Sequence, residues 1–356
     1  MNRRNVVLQT VSGKTTEKLK GYPLSTALLS GGTWAFRQKG LTLRDGLDVP
    51  EEAAKTIVEI NQKVGSDIVW PGSGYHNLLV EALGGSIKFR PQGNIDVIEP
   101  LLHRIADLDS IEIGSLDKNR WIASVRQMIE TTDRTAGKEY LVGTSSWGPF
   151  TLAGQFLGVE KLMIGLYKDK ASIHALLDFA SEVCFQYLAP TVARGAAILS
   201  IAEPTASGDL ISLRHFEEFV APYLTKVNER LKQLGAVITL HICGNITDRL
   251  SVVPHLGVDL LSVDYKVSLR YAKEVLTNKV VLAGNVNPMI LRDRSVEEVV
   301  VAARECIVEA GEEGKFVLMP GCDIPPSVPL ENVQAFIRGA HDYIGDVELQ
   351  TGSKEE

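Results

Sequence analysis

The sequence predicts an α/β protein folded as one closed (β/α)8 TIM barrel. Three observations carry that expectation: eight short apolar runs recur along the chain, amphipathic stretches separate several of them, and polar residues collect just behind the later runs. Runs that are apolar throughout, rather than alternating, belong to strands buried on both faces, and strands of that kind alternating with helices make a parallel sheet.

In order, strands are expected at residues 23–29, 67–70, 140–144, 196–201, 236–240, 258–263, 279–283 and 315–319. Helices are expected over 51–64, 117–132, 212–234, 295–311 and 330–343, where apolar residues fall near the helical repeat. The stretch from 71 to 132 holds more helix than one β/α unit needs, so it reads as a helical insertion within a single domain spanning 1–346, followed by a polar tail at 347–356 that is expected to fray. A doubly wound open sheet is the alternative. It is less favoured because Gly72-Ser73-Gly74 and Gly84-Gly85 lack the rest of a G-x-G-x-x-G fingerprint and read as turns.

The length of 356 residues suits one barrel with insertions, and a hydrophobic fraction of 45% supplies its core. A net charge of −7, dispersed along the chain, argues against nucleic acid as a partner. The N-terminus has no apolar run with a cleavage site and no stretch reaches the length of a membrane span, so the expected location is the cytoplasm, away from membranes. Four scattered cysteines fit a reducing compartment. Cys184 and Cys306 fall in helical patterns and read as small buried hydrophobes.

The residues just past the later strands matter most for function. Glu203 comes after the fourth, His241 and Cys243 after the fifth, Asp264 after the sixth, Asn285 and Asn287 after the seventh, Cys322 and Asp323 after the eighth. In a barrel that end is the catalytic face, so residues far apart in sequence would converge there. Cys243 and Cys322 are separated by 79 positions (322 − 243), too many for a local zinc knuckle. His241, Cys243 and Cys322 together are the ligand set of a catalytic zinc site with one position open. Two thiolates and an imidazole leave such a centre soft and neutral. That suits removing the proton of a thiol while keeping its sulfur nucleophilic, and hence alkyl transfer to or from sulfur. The plainer alternative stays open: a strand-end Cys is often a packed side chain, and a His often a surface residue.

Asp264 and Glu203 are candidate fourth ligands or acceptors for the imidazole N–H; as helix caps or ion-pair partners they would serve structure alone. Asn285 and Asn287 could bond substrate, or cap the turn before Pro288. Asp323 precedes the stiff Pro325-Pro326, and Trp147 and Trp34 could line the mouth for a flat macrocycle or pack in the core.

Several segments carry a family resemblance: Gly148-Pro149-Phe150-Thr151-Leu152-Ala153-Gly154, Glu203-Pro204-Thr205 through Ser212, His241-Ile242-Cys243-Gly244-Asn245, Gly284-Asn285-Val286, and Gly321-Cys322-Asp323-Ile324-Pro325-Pro326 with Pro329-Leu330-Glu331-Asn332. Over nearly its whole length the chain resembles the uroporphyrinogen decarboxylase superfamily, and within it the zinc-dependent corrinoid methyltransferases, marked by the H-x-C and the later Cys. The resemblance implies a barrel of the uroporphyrinogen decarboxylase type with extra N-terminal helices, zinc on His241, Cys243 and Cys322, and a methyl group passing between a corrinoid (cobalamin) and a zinc-bound thiol such as coenzyme M. No histidine stands in a D-x-H-x-x-G motif, so the corrinoid is expected from a separate corrinoid protein or as free cobalamin. The superfamily's decarboxylases carry an arginine-rich N-terminal motif for carboxylates. Residues 29–38 hold one arginine, Arg37, which leaves tetrapyrrole decarboxylation as the second reading and a non-catalytic carrier as the third.

Overall fold

The computed structural model describes residues 2–12, 25–28, 32–310 and 315–352, with the side chains of 344–352 excepted. Eight parallel strands form the barrel: β1 (Ser25–Thr26), β2 (Ile68–Val69), β5 (Leu141–Trp147), β6 (Ile198–Ala202), β7 (Val237–Ile242), β8 (Leu260–Val263), β9 (Val281–Val286) and β10 (Phe316–Pro320). Hydrogen-bonded neighbours run β1-β10-β9-β8-β7-β6-β5-β2. Each falls within or overlaps an expected strand, and nearly every strand residue is buried, as runs apolar on both faces require. Of the first expected strand, Pro23, Leu24 and Leu29 lie outside the described residues.

The ring shuts at the shortest strands. The Asp67 amide donates to Thr26 O at 2.9 Å across the β1–β2 seam. The Asp67 carboxylate accepts from the Thr26 amide at 2.7 Å and from the Ser25 and Thr26 hydroxyls, while Arg3 pairs with it at 3.0 Å. Burial raises the pKa of Asp67, and those donors oppose the rise. Arg3 begins helix α1 (Arg3–Ser12), which seats Val7 in one apolar cluster with Ile68, Leu141, Ile198, Leu260, Val281 and Val317. One end of the barrel is thereby stoppered, as expected of an added N-terminal helix.

Two departures from the sequence reading have clear causes. Residues expected as insertion helix include a two-stranded antiparallel hairpin, β3 (Ser86–Phe89) with β4 (Ile95–Glu99). Its half-exposed alternation, Ser86-Ile87-Lys88-Phe89, and the turn at Pro91-Gln92-Gly93-Asn94 were the available signals. The helix expected over 212–234 is broken into Leu213–Phe219 and Ala221–Lys232. Pro222 lacks the amide that would bond back to residue 218, so the helix restarts there. The last helix, Leu330–Gly352, runs on through part of the segment expected as tail. No helix among the described residues is long and apolar enough to cross a membrane.

Removing the seam carboxylate leaves buried donors without acceptors. Asp67→Ala is expected to lower stability by about 2–4 kcal/mol in equilibrium denaturant unfolding, whereas an Asp96→Ala change at the exposed ion pair on the hairpin should cost under about 1 kcal/mol.

Candidate metal centre

His241 is the fifth residue of β7 and its side chain is buried. Strand register sets it opposite Ser262 on β8, and its Nδ1 meets Ser262 Oγ at 3.0 Å. Its other nitrogen, Nε2, lies 3.0 Å from Cys243 Sγ, and Cys243 Sγ lies 3.2 Å from Cys322 Sγ. That separation is far beyond a sulfur–sulfur bond of about 2.05 Å, and both cysteines are free. The three ligand atoms all lie within 4.8 Å of one another and could hold one metal ion.

Two glycines make the approach possible. Gly244 takes φ 89°, the left-handed region, to turn the chain immediately after Cys243. Gly321 lets the β10 exit pass close against the loop after β8 and against β9: a Cβ there would stand 2.6 Å from Tyr265 N and 2.9 Å from Asn285 O.

The electrostatics arise from crowding. The pKa of Cys322 is lowered, first by the Cys243 S–H bond to it, against burial, and His241 adds to that. Cys243 is correspondingly raised, first by that same contact and then by burial. For His241, burial opposes charging the ring but is outweighed by the bond to Cys322 and by the charges of Cys322, Asp264 and Asp323, so its pKa is raised.

The other expected site residues divide sharply. Asp264 does not reach the imidazole; Ser262 holds that place. The Asp264 carboxylate instead accepts from the Gly244 amide at 2.9 Å and the Lys266 amide at 3.0 Å, fixing the loop behind Cys243. Asp209, paired with Lys266 at 2.8 Å, braces the same loop through the Asn245 amide. Glu203 is neither beside the imidazole nor within the ligand cluster. It is fully buried and accepts from the Phe150 and Thr151 amides at 3.0 and 2.8 Å, at the N-terminus of helix Pro149–Leu157. Burial lifts its pKa to about 7, with those bonds opposing. Asn285 donates to Asp264 O and Val267 O, and Asn287 caps helix Pro288–Asp293 through the Met289 amide. Neither asparagine lines the cavity above the cluster. Of the remaining cysteines, Cys184 is buried as expected and Cys306 only half-buried, 3.7 Å from Asn285 Oδ1.

That cavity, about 200 Å³, is lined by His241, Cys243, Cys322, Asp323, Trp147 and, from the early strands, Trp70, Ser73 and His76. Trp34 is absent from it, buried elsewhere with its indole N–H donating to Val328 O at 2.9 Å. Trp147 is held by Asn77 at 2.8 Å and leans on His76, ring centroids 4.4 Å apart. His76 meets Ser145 Oγ at 2.7 Å, and burial pushes its pKa down to about 4, so the ring is neutral near pH 7. His76 and Ser262 escaped the sequence reading. The position of His76, six residues beyond the second strand, was the only available signal. No lysine or arginine lines the cavity among the described residues.

The barrel gathers one histidine and two cysteines at the C-terminal ends of its strands, the face at which (β/α)8 enzymes carry their chemistry. The chain belongs to the uroporphyrinogen decarboxylase (URO-D) family, whose model matches residues 8–343. It is 32% identical over 259 residues to the methylcobamide:CoM methyltransferase MtbA of Methanosarcina mazei, covering 73% of this chain and 74% of that one. A uroporphyrinogen decarboxylase of Carboxydothermus hydrogenoformans is 24% identical over 330 residues, covering 87% and 91%. Among solved structures, a methyltransferase from Methanosarcina mazei superposes with TM-score 0.86 at 27% identity, covering 96% and 99%.

The raised pKa of Glu203 has a signed consequence. The folded chain holds that proton up to about pH 7 whereas an unfolded carboxyl releases it near 4.5, so this group's contribution favours folding at low pH and is lost as pH rises from about 4.5 to 7. The stability difference between wild type and Glu203→Gln should fall over that window by about 3 kcal/mol and level off above it, in urea titrations at several pH values.

Proposed function

We propose that the chain is a zinc-dependent methyltransferase that moves a methyl group between a corrinoid and a thiol. The observation that carries this reading is the meeting of His241, Cys243 and Cys322 on the cavity floor. The donor set fits zinc: one imidazole nitrogen and two cysteine sulfurs, the ligand types zinc takes, lie within 4.8 Å of one another. Kinship with the methylcobamide:CoM methyltransferases supports the same reading.

His241, Cys243 and Cys322 would hold the zinc, which when bound would supply a Lewis acid that lowers the pKa of a thiol toward neutral. The chain does the rest. Ser262 fixes the orientation of the His241 ring, and Asp264 with Asp209 holds the loop that presents Cys243. Trp147 and His76 form an apolar wall against which the small reactant is positioned, and Asp323 sits at the rim. Because the cluster lies beneath an open mouth, a corrinoid, free or carried on a separate protein, can bring its methyl-bearing face to the cavity from outside. The reading places the protein in the cytoplasm, where thiols stay reduced.

Elemental analysis tests the metal: about one zinc per chain is expected, lost or loosened in Cys322→Ser, and Ser262→Ala should weaken zinc about 10–100-fold. Consumption of methylcobalamin with an added thiol, followed by its absorbance, should fall at least about 100-fold in Cys322→Ser. Unchanged turnover by metal-free protein would end the proposal.

A further inference from the structure

On three neighbouring strands the inward face of the barrel turns polar at a single level below His241. Strand register aligns Ser145 on β5, Ser200 on β6 and Thr239 on β7 in one row. These side chains share a face with Trp147, Ala202 and His241, which stand two residues further along the same strands, so the hydroxyl row lies one pleat repeat, about 7 Å along the strands, beneath the His241 level. One repeat deeper, the same strands present Gly143, Ile198 and Val237. Ser145 and Ser200 line the cavity, so the hydroxyls stand at the depth its floor reaches.

The hydrogen bonds of this row are not used up within the protein. Thr239 Oγ1 is buried without a partner among the described residues, and so is the indole N–H of Trp70, a residue that lines the same cavity from the exit of β2. Ser145 Oγ meets His76 Nε2 at 2.7 Å, and His76 leans in turn on the Trp147 ring. Barrel interiors are ordinarily filled by branched aliphatic side chains, and a buried polar group without a partner forfeits the hydrogen bond it had in water. Polar groups gathered at one depth, some of them unpaired, point to a ligand that completes them.

Resting on the thiol reading above, we propose that this row is a neutral hydrogen-bonding subsite, which receives an uncharged hydroxyl on the tail of the small thiol while its sulfur is held at the cluster above. A hydroxyl both donates and accepts, as a mixture of serine hydroxyls and an indole N–H requires. Ser200 is the direct contact. His76 is a positioning residue: its Nε2 fixes the Ser145 hydroxyl, and the ring stays neutral near pH 7 because burial pushes its pKa down to about 4. Discrimination comes from the bonds an alkyl tail of the same size would leave unmade.

The thiols 2-mercaptoethanol and 1-propanethiol have the same sulfur end and nearly the same size, so their affinity ratio reads the tail alone. Calorimetric titration of the zinc-loaded protein with each measures that ratio without turnover. In an apolar cavity propanethiol wins, because a methyl leaves water more readily than a hydroxyl. Here 2-mercaptoethanol is expected to bind at least as tightly as propanethiol. Its advantage should fall at least about five-fold in Ser200→Ala, a small change, and in His76→Phe, which keeps a ring beside Trp147. Tighter binding of propanethiol by the wild type, or an unchanged ratio in either variant, overturns the proposal and leaves the thiol reading standing, with buried water as the partner of the row. If the affinity order and its loss hold but no thiol consumes methylcobalamin, the methyl-transfer reading fails while the subsite stands.

Discussion

Two sulfurs 79 residues apart can stand 3.2 Å from each other only because β7 and β10 curve about a common axis. In a flat sheet of the same order, β8 and β9 would hold those strand ends apart by about 14 Å, three strand spacings. Closure is therefore the constraint on which the site depends. It is secured at the β1–β2 seam, one strand beyond β10, where two-residue strands are tied by the Asp67 amide on Thr26 O and by the buried Asp67 carboxylate. The strands that carry the ligands need no such help, since strands of four to six residues join them in continuous ladders.

The division of labour among carboxylates reflects depth. Glu203 is wholly buried, and its oxygens face the free amides at a helix start, so it serves the fold. Asp264 is nearly as buried but meets loop amides, so it serves the shape of the Cys243 turn. Asp323 alone of the three lines the cavity. Similar side chains at successive strand ends thus do different work according to the backbone donors each strand exit presents.

The eight strands were legible because buried parallel strands write themselves as continuous apolar runs. The metal candidates were legible because they stand immediately after such runs. The hairpin was harder: Ile87 and Phe89 alternate with polar neighbours over only four residues, which a helical reading of the insertion absorbed. Ser262 was illegible for a different reason. Its meeting with His241 depends on inter-strand register, and nothing in a single strand's sequence states the register of its neighbour. The roles of Glu203 and Asp264 turn likewise on where a carboxylate points, a choice that spacing leaves open between a ring N–H and a backbone amide.

Helix α1 carries a consequence for traffic through the molecule. By seating Val7 among the inward residues of the strands it seals one end of the barrel axis, and the interior above it is packed with side chains. Among the described residues, the cavity over His241, Cys243 and Cys322 therefore opens away from that stopper, at the C-terminal ends of the strands. A broad, flat ligand resting on that opening would shut in whatever small molecule lay beneath it. Under the proposed function, order of arrival would then become a matter of architecture: the small reactant would have to be in place before the large one landed, and could not depart until the large one lifted.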